Sequence, residues 1–397
     1  FASGQSNMEM PLAGFPGAAI KNSAAEISQA NQPAIRLLLV QKKASAYPVN
    51  DLDGPVSWSM CTPETAAKFS AVAYFFGRDL SSHEQVPIGL IDSSWGGTPA
   101  EAWTSLPGIA ADASLMPVFS AWASMTAQEA DMTAIREAEK RADAEARSKN
   151  QPLPKHAWRP EFASWDPAWL FNGMVAPFLN LPIKGVIWYQ GESNAPPERA
   201  FLYQKLFAAL ISDWHVQWQD SDFPFLFVQL ANYNASPSDD WPAIREAQRR
   251  ALSLKNTGMA VAADIGDPEN IHPADKQDVG LRLALAARAI AYHENIEYSG
   301  PVFRSISSEG SNLRIWFDHA GAGLEVKNGA LSDFQIAGDD RKFVDAAATV
   351  DGSTVVVNSP RVTTPKYVRY GWQNNPSLHL YNSANLPASP FTSESAN

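Results

Sequence analysis

Apolar runs of strand length recur along the chain up to about residue 300: AIRLLLV (34–40), VPIGLID (86–92), IKGVIWY (183–189), FPFLFVQL (223–230) and GMAVAA (258–263). Each is nearly continuous in hydrophobicity instead of alternating, the pattern of a strand covered on both faces. Between them stand segments with helical periodicity: FSAVAYFFGRDLSS, AFLYQKLFAALISDW, WPAIREAQRRALSL and DKQDVGLRLALAARAIAY. Strand and helix in alternation predict an α/β domain over residues 1–297, a doubly wound parallel sheet with helices on both faces.

Two stretches depart from that pattern. Residues 112–166 hold TAQEADMTAIREAEKRADAEARSKN and then the loop QPLPKHAWRPEF, with nothing that resembles a strand. They read as a helical insertion, a solvated surface helix in the simpler reading and a lid over a site in the other. Beyond about Ser299 the period becomes two, with turn signals at EGSN, KNG, GDD and DGS, so residues 298–397 are expected to form antiparallel hairpins in a small β domain. The polar tail SPFTSESAN is expected to be disordered.

Composition narrows the function. The 397 residues are 45% hydrophobic, enough for a large core, and the composition is that of a soluble globular protein. The longest apolar runs fall well short of the roughly 20 residues of a spanning helix, so no membrane partner is expected. A net charge of −11 without any basic stripe argues against nucleic acid. Cys61 is the only cysteine, which excludes an intrachain disulfide and a cysteine-based zinc site. No signal peptide opens the chain, and because a candidate site lies within its first residues, preceding sequence is expected, an export signal among it.

In an open α/β sheet ligands bind beyond the carboxyl ends of the strands. The loops leaving those ends here are SSWGGTPAEAW, QGESNA, ANYN and DIGDPENIHP, and GQSNMEM would leave a first strand whose beginning is cut away. Of seven histidines, His272 is the one that follows a strand on this rim. Ser6 shares the rim, and a serine hydroxyl beside an imidazole base is a nucleophile for acyl transfer. The oxyanion that forms needs fixed N–H donors, available from Gly96 or Gly97, which have no Cβ to block close approach, and from the Gln190 side chain.

GQSNMEMPL, IDSSWGGTPAEAW, WYQGESN and DIGDPENIHPADKQDVGLRLA together resemble the four blocks of the SGNH-hydrolase superfamily in its sialate O-acetylesterase-like carbohydrate-esterase branch. YGWQNNPSLHLYNSANLPASPF is similar to that branch's C-terminal signature. The resemblance implies a three-layer α/β/α fold, serine esterase chemistry without metal or organic cofactor, and removal of acetyl groups from sugars. It implies Ser6 as nucleophile, His272 as base, and an oxyanion hole of the Ser6 N–H, the Gly97 N–H and the Gln190 amide. Bacterial relatives are usually exported, so a periplasmic or secreted location is expected, with acetylated sialic acids or plant-wall xylan and xyloglucan as substrates. The negative net charge gives an anionic sugar no long-range attraction and leans toward the neutral glycans.

Where many superfamily members have Asp three residues before the histidine, this chain has Glu269, with Asp267 and Asp264 nearby. A side chain three positions earlier in a tight loop can fold back to the imidazole Nδ1, which ranks Glu269 first as the orienting acid, Asp267 second and Asp264 third. Glu192 is expected to anchor loops and not to act as an acid. Trp95, Trp372 and Asn232, the last beside Tyr233, are candidates to border the pocket. Two other readings compete: a carbohydrate-binding protein with a decayed enzyme site, and a lipase-like esterase for apolar esters. Joint retention of Ser6, Gln190 and His272 speaks against the first, and the polar rim against the second.

Overall fold

A computed structural model describes residues 1–54 and 56–395. Strands β1 (Ala2–Gly4), β2 (Gln32–Leu39), β3 (Ser59–Cys61), β4 (Ile88–Ser94), β5 (Val186–Tyr189), β6 (Phe225–Gln229) and β7 (Thr257–Val261) form one sheet in the order β3-β2-β4-β1-β5-β6-β7. Neighbours pair in parallel except for β3, which runs antiparallel along β2 at the edge. Sequence order reverses around β1, which lies between β4 and β5, and that reversal opens a crevice at the carboxyl ends of these strands.

The principal helices are α1 (Ser6–Glu9), α2 (Ala71–Glu84), α3 (Glu129–Ser148), α4 (Pro197–Trp218), α5 (Trp241–Ala251) and α6 (Lys276–Ala291). Successive side chains of β5 show that both faces are covered. Trp188 packs edge-on against Trp214 of α4 at 5.9 Å, while Tyr189 lies under the ammonium of Lys276 of α6 at 5.5 Å. Phe207 of α4 also meets Phe227 of β6 at 5.1 Å, so an aromatic cluster joins this helix to the sheet. Opposite, α6 lies so close to α2 that a Cβ on Gly280 would stand 2.5 Å from Phe75 Cβ. Among the described residues no helix is long and apolar enough to cross a membrane.

The insertion is helical, but in two pieces, Pro117–Thr126 and α3, followed by residues 151–161 without regular structure. The chain turns antiparallel from Val302 onward. Ala347–Asp351, Thr354–Asn358, Asn312–Asp318 and Val302–Glu309 make one sheet in that order, and Val344–Asp345, Phe334–Ala337, Tyr367–Tyr370 and Phe391–Thr392 make another.

Two expectations are corrected here. Leu324–Val326 pairs with the distant Leu380–Asn382 and not with the strand that follows it. The tail is ordered where it is described, since Phe391 is buried against Phe303 at 4.5 Å and its strand pairs with Arg369 and Tyr370; residues 396 and 397 lie outside the described residues.

Arg245 of α5 ties this β region to the α/β sheet. Its buried guanidinium donates to the carbonyls of Leu230, Ala231, Gln373 and Asn374, each at 2.8 Å.

Candidate active site

The Ser6 turn is built where β1 stops. Gly4 has φ +133°, and a Cβ there would lie 2.2 Å from the carbonyl oxygen of Tyr189, so a residue without side chain is required. Hydrogen bonds from the Gln5 N–H to Tyr189 O and from the Trp95 N–H to Gly4 O, both at 3.0 Å, then clamp the turn between the ends of β5 and β4. Gln5 Oε1 accepts the Ser193 N–H at 3.2 Å, which adds the QGES loop. Ser6 is thereby presented at the start of α1, half-buried.

The SSWGGT loop closes on it from the β4 side. A Cβ on Gly96 would stand 3.2 Å from Ser6 Cβ, so the loop backbone packs directly on Ser6. The Gly96 N–H donates to the carboxylate of Glu9, which also pairs with Lys42 at 2.6 Å. Gly97, with φ +73°, has no acceptor for its N–H among the described residues, and neither has Thr98. The Ser6 N–H lies in the first turn of α1, where helix geometry supplies no acceptor.

Gln190 has its amide engaged elsewhere in this arrangement. Its side chain is fully buried and donates to Thr98 O at 3.2 Å and Asn194 Oδ1 at 2.7 Å, while Oε1 accepts the Tyr203 hydroxyl at 3.0 Å. Both amide hydrogens are engaged, so none remains for an oxyanion in this arrangement.

Ser6 and His272 meet through their neighbours. The Asn7 side-chain amide donates to Ile271 O at 3.0 Å and to Glu192 Oε1 at 2.6 Å, and Asn7 Oδ1 accepts from Lys276 Nζ at 2.5 Å. Asn7, Glu192 and Lys276 are all buried, so the residue after Ser6 is locked to the residue before His272. Glu192 is an anchor as expected, although the donor it holds is a side chain and not backbone. Burial raises its pKa and lowers that of Lys276 to about 7, each opposed by the charge of the other. Lys276 is the residue that sequence reasoning missed: in DKQDVG it reads as the solvated start of a helix. The His272 ring sits edge-on to Phe15 at 5.3 Å, and burial, aided by the charge of Lys276, pushes its pKa down to about 4. The imidazole is therefore neutral, a proton acceptor, through the neutral pH range.

Each candidate acid has a partner elsewhere. Asp264 makes a two-pronged pair with Arg282 at 2.6 and 2.8 Å and accepts the Tyr381 hydroxyl. Asp267 holds the turn by accepting the Glu269 N–H at 2.9 Å. The exposed Glu269 accepts from Asn234 Nδ2 at 3.1 Å. Among the described residues no carboxylate accepts a hydrogen bond from the His272 ring.

Of the residues expected to border the pocket, Trp95 is in the SSWGGT loop, with Lys42 over its ring at 5.6 Å. Asn232 is a tie between loops, donating to Asn375 Oδ1 and accepting from the Gly266 N–H, both at 2.8 Å. Trp372 lies under Arg369 at 4.7 Å within the β region. A cavity of about 340 Å³ opens at the opposite, amino-terminal end of the strands, lined by Phe1, Phe76, Leu80 and Ile88, and contains neither Ser6 nor His272.

Residues 161–291 match a family described as carbohydrate esterase, sialic acid-specific acetylesterase. The chain is 33% identical to the sialate O-acetylesterase of Rattus norvegicus over 98% of its own length and 76% of that protein. With the sialate O-acetylesterase of Homo sapiens it shares 32% identity over 98% of its length and 73% of the relative. Among solved structures, the carbohydrate acetylesterase XAC1771 from Xanthomonas citri matches with a TM-score of 0.81 and 38% identity, over 99% of this chain and 80% of that one.

Proposed function

The chain belongs to the sialate O-acetylesterase family of carbohydrate esterases, and on that premise we propose that it removes acetyl groups from sugar hydroxyls by a serine mechanism centred on Ser6. The observation that carries this reading is the buried Asn7 side chain, which binds the carbonyl of Ile271 and so joins the Ser6 turn to the His272 loop.

Ser6 Oγ attacks the acetyl carbonyl as His272 takes the hydroxyl proton. The developing oxyanion is held by the N–H groups of Ser6 and Gly97, with Gly96 excluded because its N–H serves Glu9. His272 returns the proton to the departing sugar oxygen, leaving an acetyl ester on Ser6. Water, deprotonated by His272, then releases acetate and restores the serine. We assign the orienting carboxylate to Glu269, which lies on the turn closed by the Asn270 N–H to Asp267 O bond at 3.2 Å.

O-acetylated sialic acids rank first as substrates, since the rat and human relatives are named for them. The net charge of −11 and the plant-wall relatives lean toward neutral hemicelluloses, but net charge acts at long range and salt screens it.

Acetate release from an O-acetylated sialoside and from acetylated xylo-oligosaccharides, measured for the parent chain and for Ser6→Ala, tests the reading. Ser6→Ala should lower turnover by about 10³-fold or more with an unchanged melting temperature. Near-parent activity in a folded Ser6→Ala protein would refute it.

A further inference from the structure

We propose that Trp158, carried by the insertion, is an outer sugar-binding subsite that stacks on a pyranose ring of the substrate beside the acetyl-bearing position. The proposal rests on the serine-esterase reading of Ser6 and deepens it by assigning a recognition surface to the same site.

The indole of Trp158 lies against the loop that carries Gly96 and Gly97. A Cβ on Gly97 would stand 2.5 Å from its Cζ2 atom, so the absence of a side chain at Gly97 is what admits the ring. Gly97 is one residue from Gly96, which touches Ser6. The ring is thus held against the residue that follows the Ser6 contact in the same loop.

Its surroundings fix it in place without covering it. Trp165 lies 6.2 Å away, centroid to centroid, and donates from Nε1 to the Gly97 carbonyl at 2.6 Å. Trp165 is backed by the guanidinium of Arg199 at 4.6 Å, itself paired with buried Glu101. The loop carrying Trp158 is strapped to α3 by His156 on Asp143 at 2.8 Å, by Arg159 on Glu139 and by Arg136 on the carbonyl of Pro160. The two neighbouring tryptophans then divide sharply in burial: Trp165 is 9% exposed and Trp158 is 67% exposed.

A structural tryptophan would be expected to share the burial of Trp165. A rigid indole face left in water at the mouth of a polar crevice fits a ligand that offers an apolar face and polar edges. A pyranose is such a ligand, with C–H groups on its face and hydroxyls around its rim. Orientation fixed in advance lowers the entropy lost on binding. The insertion would then act as the recognition arm of the site and leave the chemistry to Ser6 and His272.

The test compares Trp158→Ala and Trp158→Phe with the parent on three acetyl esters: p-nitrophenyl acetate, which has no sugar, an O-acetylated sialoside and acetylated xylotetraose. Trp158→Ala should lower kcat/KM by about tenfold on whichever sugar esters the parent hydrolyses, mainly through KM, with p-nitrophenyl acetate unchanged and Trp158→Phe recovering part of the loss. Equal losses on all three esters would make Trp158 a buttress of the Gly97 turn and overturn the proposal, as would unchanged kinetics on the sugar esters. Ser6→Ala is run alongside: its failure to abolish turnover would sink the esterase assignment itself, an outcome distinct from any result at Trp158.

Discussion

Lys276 Nζ donates to Asn7 Oδ1 at 2.5 Å, with both side chains almost wholly out of solvent. The same asparagine donates to Glu192 Oε1, so a buried cation and a buried carboxylate reach each other through one neutral amide. Asn7→Ala would strip both charges of this partner, and an unpaired buried charge costs about 3 kcal/mol or more. The melting temperature should fall by many degrees and kcat with it, since the Ile271 carbonyl loses its tether as well. Thermal melts beside those of Ser6→Ala, which removes no such partner, separate this effect from loss of the nucleophile.

The pH profile follows from His272. Its base form is the neutral imidazole, and a pKa pushed down to about 4 keeps that form present until the pH drops through about 4. The acid limb of kcat/KM, which reports the free enzyme, should therefore lie near pH 4 and not near 6.5. Lys276→Met, by removing a charge that disfavours the imidazolium, should move that limb upward, and Lys276→Arg should hold it. Stability has the matching sign. Between about 4 and 6.5 the unfolded chain binds a proton at this histidine that the native chain does not, so this contribution is complete above 6.5 and lost as pH falls toward 4.

Gly96→Ala tests the contact between the oxyanion loop and the nucleophile. The new methyl would lie 3.2 Å from Ser6 Cβ and 3.0 Å from Glu9 Oε2, closer than either can comfortably accept, and the loop must shift by a few tenths of an ångström. A misplacement of about 1 Å can cost about 10²-fold in rate, so a shift of a few tenths should cost about threefold to tenfold. We expect kcat to fall to that extent with little change in melting temperature, because few other contacts are disturbed. Unchanged kcat would show that the loop does not position the reaction.

Continuous apolar runs made β2, β4, β5, β6 and β7 legible, because burial on both faces leaves little room for polar residues. Strands of three residues carry no such signal: β3 reads SMC, and β1 was visible only through its motif. The partner of Leu324–Val326 lies more than 50 residues away in sequence, a pairing that no local pattern encodes. Ser6 and His272 are nominated from the sequence because strand ends announce themselves, and the structure brings their loops together through Asn7. Lys276 and Arg245 are not, since a charged residue at or near a helix start looks solvated until the loops that bury it are in place. The double use of the Gln190 amide, likewise, is visible only once Thr98 and Asn194 stand beside it.

Arg245 makes a separate prediction about the whole chain. Four carbonyls from two regions depend on its single fork, and burial lowers its pKa to about 9. Arg245→Met would leave those acceptors unsatisfied at a cost of roughly 3–5 kcal/mol. Arg245→Lys should recover little, because an ammonium cannot reproduce the planar fork. Thermal melts and limited proteolysis between residues 231 and 300 would register the loosened joint, and a Lys variant as stable as the parent would refute the account.

The orienting acid separates by a contrast between stability and rate. Asp264 forms a buried pair with Arg282, so Asp264→Asn removes one member of an ion pair, an event that costs roughly 3–5 kcal/mol, and should appear first as a lower melting temperature. Asp267 closes the turn through the Glu269 N–H, a bond an amide oxygen can still accept, so Asp267→Asn should be mild on both measures. Glu269 is exposed and makes one side-chain hydrogen bond, to Asn234, so its loss has little to destabilise. If Glu269 accepts the Nδ1 proton of His272 once substrate is bound, Glu269→Gln would offer the ring an N–H and favour the wrong tautomer. That should cost about 10³-fold in kcat with the melting temperature unchanged. Asn234→Ala, which frees the Glu269 carboxylate, should leave kcat at or above the parent value. A nearly silent Glu269→Gln alongside an inactive but stable Asp264→Asn or Asp267→Asn would transfer the role to that aspartate while leaving Ser6 and His272 in theirs.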